Sequence, residues 1–162
     1  MTTRMTTPEA GRTVQLPAAR TLLGAVLVVC VLIPLGIFLG EILLTDRDPY
    51  RSEGPVDSIV SIGIVGGVGL VLALGLGALL VRTPEQARIG AVVFAALSVL
   101  TVIVFWSGTP GLLGASAAWL AGLTRGGRPL GGAARVAGIV GAFVAVLNIL
   151  LTVGGVALSA LV

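Results

Sequence analysis

Val136 to Val162 is a run of 27 residues without one charged side chain, and Ile59 to Val81 is another of 23. Nothing in the sequence constrains the fold more. Helices of that length have no polar face to turn toward water, whereas about 20 apolar residues cross the ~30 Å hydrocarbon core of a bilayer. Inside that core every backbone N–H and C=O must be paired within the protein, which helices achieve segment by segment. The expected class is therefore all-α, an integral membrane helical bundle. Composition agrees. The 162 residues are 56% hydrophobic and 10% charged, with a mean hydropathy of +1.11, more apolar side chain than a soluble domain of this size buries. The 24 glycines would weaken helices in water but are common in membrane helices.

Five transmembrane helices are expected, at about 21–44, 59–81, 89–106, 110–123 and 136–162. Residues 1–20 form a mobile cytoplasmic tail, and 21–162 a single transmembrane domain. Pro34 cannot donate to the Cys30 carbonyl, so the first span should kink there. The fourth span is the difficult one. "SGTPG" at 107–111 is turn chemistry, and only Pro110 to Leu123 remains before Thr124 and Arg125, about 21 Å of helix. A re-entrant or surface segment, leaving four spans, is the alternative. Arginine placement favours five. Arg4, Arg12 and Arg20, Arg82 and Arg88, and Arg125, Arg128 and Arg135 share one side only if 110–123 crosses. The positive-inside bias makes that side the cytoplasm, with the N-terminus in and the C-terminus out. The pI near 10.5 then reflects orientation in a plasma membrane. The arginines gather into no basic face, which speaks against nucleic acid. All ten basic residues are arginine, a usage that, with abundant Ala, Gly, Val and Leu, suggests a high-GC bacterium.

Lipid tails are as apolar as leucine, so small residues that let backbones approach must hold such helices together. In the last span Ala134, Gly138, Gly141, Ala145, Asn148, Thr152, Gly155 and Ser159 recur at alternating spacings of four and three. That is a seven-residue repeat, the geometry of a left-handed packing seam. Asn148 is the only asparagine in the chain, and on this seam it is expected to fasten its helix to a neighbour. A second packing face is expected on Gly63, Gly66, Gly67, Gly69, Ala73 and Gly77, including a G-x-x-x-G at Gly63/Gly67, with another such pair at Gly36/Gly40. An echo of Ala-Arg before the first, third and fifth spans is explained by an arginine anchor at each entry.

Chemical candidates are few. The chain has no histidine and one cysteine, Cys30, which excludes a disulfide within one chain and a Cys/His zinc cluster. Serines and threonines have no histidine or lysine to activate them, and no nucleotide-binding glycine motif follows a strand. Neither enzyme activity nor a cofactor or metal is expected. Glu41 lies near the outer end of its span, within reach of Arg47 or Arg51. The first loop, "DRDPYRSEGPVD", has Arg51 where an EF-hand needs glycine. Trp106 and Trp119 fit aromatic anchoring at the two interfaces.

Residues 89 to about 150, with "VFWSGTP", "LLGASAAWLAGL", a Gly/Arg loop and "AGIVGAFVAVLNILL", resemble uncharacterised small Gly/Ala-rich hairpin-type integral membrane proteins of high-GC bacteria. The resemblance implies membrane topology and no activity. The expected function is non-enzymatic: a structural or accessory subunit, partnered by the lipid bilayer and by other membrane proteins or a second copy in a homo-oligomer. The alternative is a small transporter or channel component with a polar path near Asn148 and Thr152.

Overall fold

The computed structural model describes residues 16–44 and 59–159. The tail up to residue 15, the acidic first loop and the side chains of Glu41 and Ser159 lie outside the described residues. Five helices are present among them: α1 over 19–44, α2 over 59–80, α3 over 84–107, α4 over Thr109–Leu120 and α5 over Ala133–Ser159. Four of these, as Ala19–Gly40, Ile59–Leu80, Pro84–Ser107 and Ala133–Leu158, are long and apolar enough to cross a membrane, at 22 to 26 residues. Their outward faces are apolar: Ile103 is 79% exposed, Leu43 73% and Val71 71%. A surface of that kind suits lipid and not water.

α4 is the exception to the long helices. Its 12 residues make about 18 Å of helix, shorter than the expected segment 110–123. Every one of them except Trp119 is buried. The sequence TPGLLGASAAWL accounts for this, because it offers small or apolar residues on every side and no stripe to face outward. The other four helices enclose it. On α3, Ala91 and Phe94 share a buried cluster with Leu113, Ala117 and Leu120 of α4. On α1 and α2, Val26, Cys30, Ile62 and Ala73 form a second cluster with Leu112 and Ala115.

The tightest crossing joins α4 to α5. A Cβ added to Gly114 would strike the Gly141 carbonyl oxygen, and one added to Gly141 would lie 2.6 Å from the Gly114 carbonyl oxygen. The approach is reciprocal and backbone to backbone, which only two glycines permit. Contacts elsewhere set the directions. Gly138 meets Ala121, and Gly111 meets Asn148, so α5 runs against α4. Thr109 meets Gly69, and Trp119 meets Gly77, so α2 runs with α4.

Several boundaries differ from the sequence reading. α3 starts at Pro84, five residues before the expected span, because Thr83 caps it: the Gln86 N–H donates to Thr83 Oγ1 at 3.2 Å, with Pro84 in the first turn. Thr-x-x-Gln is a capping-box spacing, and the segment expected as loop is the helix's first turn. At its other end, α3 tightens into a 3₁₀ turn at Thr101–Ser107 with a kink at Val104 (φ −108°, ψ 40°). α1 begins at Ala19. Leu16, expected within the tail, donates its N–H to the Leu123 carbonyl at 3.1 Å and accepts from Arg125 N–H at 3.0 Å. Of "SGTPG", only Gly108 (φ +73°) turns the chain. Thr109 and Pro110 already form the first turn of α4, where proline lacks no needed N–H.

Substituting Gly114 or Gly141 by alanine is expected to destabilise the fold by about 1–3 kcal/mol, the cost of forcing extra volume into a packed site. Gly36→Ala and Gly154→Ala, where an added Cβ meets nothing within 4 Å, are expected to be neutral or slightly stabilising. Thermal unfolding of the four variants in mild detergent separates the two classes.

Candidate functional site

Where α3 hands over to α4, the polar side chains of the bundle converge. Pro34 removes one backbone N–H from α1, and a π turn at Val28–Leu32 stands just ahead of it. α2, rich in glycine, carries two more π turns, at Ile62–Gly66 and Leu72–Leu76. A π turn breaks the regular i to i+4 ladder and leaves carbonyls for other partners. The residues around α4 supply them. Thr109 Oγ1 donates to the Val65 carbonyl at 2.9 Å, and Ser116 Oγ lies 3.5 Å from the Ala73 carbonyl while bonding Leu112 O at 3.0 Å. A Cβ on Gly108 would lie 2.9 Å from the Cys30 carbonyl oxygen, so this glycine is required both by its left-handed backbone and by the close approach to α1. All three π turns therefore face α4 or its entry.

Asn148 occupies the corresponding place on α5. It is 2% exposed, and its Nδ2 donates to the Phe105 carbonyl at 2.7 Å. Phe105 lies in the 3₁₀ segment beside the Val104 kink, where its carbonyl also accepts the Gly108 N–H at 3.2 Å. The amide therefore ties α5 to the one irregular stretch of α3. Its Oδ1 has no hydrogen-bond partner among the described residues. It points instead at Gly111, where a Cβ would lie 2.6 Å from it, so a Cα–H of that glycine faces the amide oxygen, a weak donor that recurs between packed helices. Thr152 Oγ1 donates to the Asn148 carbonyl at 2.9 Å, within its own helix.

The other expected positions divide. Ala134, Gly138, Gly141 and Ala145 are buried, with Gly138 against Ala121 and Gly141 against Gly114. Thr152 is half-buried, and Gly155 is exposed with open space around it. α4 begins near the level of Asn148, where Gly111 meets the amide, so α5 beyond that point has no α4 residue beside it. On α2, Gly66, Gly69, Ala73 and Gly77 are buried, but among the described residues a Cβ added to Gly63 or Gly67 would meet nothing within 4 Å, and the same holds for Gly36 and Gly40 of α1. The G-x-x-x-G pairs point away from the bundle. Residues that the sequence reading passed over are Gly108, Gly111, Gly114, Thr109 and Ser116 on α4 and its entry. Their signal was the even spread of small residues around that short helix.

Beyond the entry of α4, a cavity of about 330 Å³ opens among Pro34, Phe38, Ile62, Trp106, Thr152 and Gly155. Its walls are largely apolar, and the Thr152 proton is already engaged. Among the described residues no cluster of His, Cys, Asp or Glu could hold a metal ion. No protein family, curated protein or solved structure matches this chain. The likeness over residues 89 to about 150 therefore rests on composition and pattern.

A double-mutant cycle tests the Asn148–Gly111 contact. Gly111→Ala is expected to destabilise the native chain and to cost less when Asn148 is already alanine, with a coupling of about 0.5–3 kcal/mol.

Proposed function

We propose that the protein is a non-enzymatic integral membrane protein of the bacterial plasma membrane, a structural or accessory subunit whose bundle is fastened by small residues and a few polar side chains. The observation that carries this reading is the Asn148 amide bound to the Phe105 carbonyl. The one amide in the last span is committed to holding two helices together. Ser98, Thr101, Ser107, Thr109, Ser116 and Thr152 likewise donate to backbone carbonyls. Polar groups engaged in this way have little left for a passing solute, which weighs against the transporter or channel reading near Asn148 and Thr152.

The glycines of α1 and α2 that face outward, Gly36, Gly40, Gly63 and Gly67, supply small-residue surface for a further transmembrane helix, of another protein or of a second copy. Five crossings with the N-terminus in and the C-terminus out are supported by the alternating helix directions. They are also supported by the six arginines Arg20, Arg82, Arg88, Arg125, Arg128 and Arg135, each in a connection or in the opening turns of a helix at one end of the bundle.

Two experiments test the proposal. Asn148→Leu is expected to lower stability by about 0.6–2 kcal/mol without creating or abolishing solute flux in reconstituted vesicles. Purification in mild detergent should retain a partner or an oligomer. A lone monomer that conducts or transports would refute the accessory role. For orientation, a C-terminal reporter active only in the cytoplasm should stay silent.

A further inference from the structure

The arginine-bearing end of the bundle is not a flat face. The connection from α4 to α5 closes on itself: Leu130 N–H donates to the Ala121 carbonyl and Gly127 N–H to the Thr124 carbonyl, both at 2.9 Å. Gly122 (φ +72°) and Gly126 (φ +88°) turn the chain through left-handed backbone. A Cβ on Gly122 would strike the Arg128 carbonyl, so the loop packs tightly against itself. Leu16 holds it from a third direction through its two backbone bonds to Leu123 and Arg125.

A cleft of about 530 Å³ lies between this loop and the α2–α3 turn. Arg82 lines it from the turn, Arg125 and Arg128 from the loop, and Trp119, Leu120 and Leu130 supply apolar wall. Among the described residues none of the three guanidinium groups has an ion-pair partner. Glu85, the acid nearest Arg82 in sequence, does not line the cleft.

The positive-inside bias asks only for arginine in the inner loops. It does not require a loop closed by its own hydrogen bonds, or three arginines from two connections lining one recess. Guanidinium forks match phosphate oxygens, and basic recesses between transmembrane helices suit lipid headgroups. An indole and two leucines beside them suit a ligand with an apolar continuation, which a free anion lacks. We propose that this cleft binds the phosphodiester headgroup of an anionic phospholipid. The inference rests on the reading of the chain as membrane-embedded, with this end at a bilayer surface.

The test uses the full-length protein in mild detergent, with thermal unfolding followed during titration with short-chain phosphatidylglycerol, phosphatidylcholine or inorganic phosphate. Phosphatidylglycerol should raise the midpoint saturably, and less so at high salt; the other two should not at equal concentration. Removing one arginine near an anionic lipid surface weakens binding about fivefold. Arg125→Gln combined with Arg128→Gln, whose side chains are exposed, should therefore weaken binding about 25-fold. Arg135→Gln, outside the cleft, should stay near the native value. Equal stabilisation by phosphatidylcholine, a match by inorganic phosphate, or a double variant that binds like the native protein overturns the proposal. Flotation with vesicles after an alkaline wash separates the two levels. A protein that floats without preferring phosphatidylglycerol refutes the cleft alone, whereas one that fails to float refutes the membrane reading beneath it.

Discussion

The approach of α4 to α5 at Gly114 and Gly141 is the contact on which the rest of the bundle depends. Each glycine stands where a Cβ would meet the other's carbonyl oxygen, so the two backbones lie closer than side chains larger than hydrogen would allow. In a bilayer, lipid would give apolar side chains no reason to leave it for one another, and association would come from dispersion at short range and from hydrogen bonds. A helix buried on every face satisfies that requirement on every face. α4 accordingly presents Gly111, Gly114 and Ala117 to α5, Thr109 and Ser116 to α2, and Leu120 to Gly90 of α3.

A short central helix brings a second demand. Its entry lies inside the bundle, so the chain arriving from α3 must turn among its neighbours, where unpaired backbone is costly. The irregularities of the structure gather there: the 3₁₀ turn of α3, Gly108 in the left-handed region and the π turn ahead of Pro34. The hydroxyls of Ser107 and Thr109 and the amide of Asn148 bond the carbonyls of this region. Among the described residues, Ser107, Thr109 and Asn148 thus bond carbonyls at or beside the points where the backbone departs from the regular α-helix.

The all-helical class, the helix count and the four helices apolar enough to cross a membrane were legible because each is written in local or averaged properties, run length and hydropathy. The start of α3 was legible too, in the Thr83–Gln86 capping spacing, but the apolar pattern drew attention to Ile89. The seam on α5 was read from its periodicity, and its burial holds from Ala134 to Asn148 and stops before Gly155. Periodicity says which residues share a face. It does not say how far along that face a neighbour extends.

By itself, the sequence determined that this chain forms long apolar helices, since run length and hydropathy belong to each segment alone. Only the tertiary structure decided which small residues carry the packing. Gly63 and Gly67 form the more familiar motif, yet they face outward, while Gly66, Gly69 and Gly77 face α3 and α4. It also decided that Asn148 bonds Phe105, a residue 43 positions away in the chain. The physical reason is the same in both cases. Close approach is a property of two backbones together, and the length of α4, which sets where each neighbour can be reached, acts on all four surrounding helices at once.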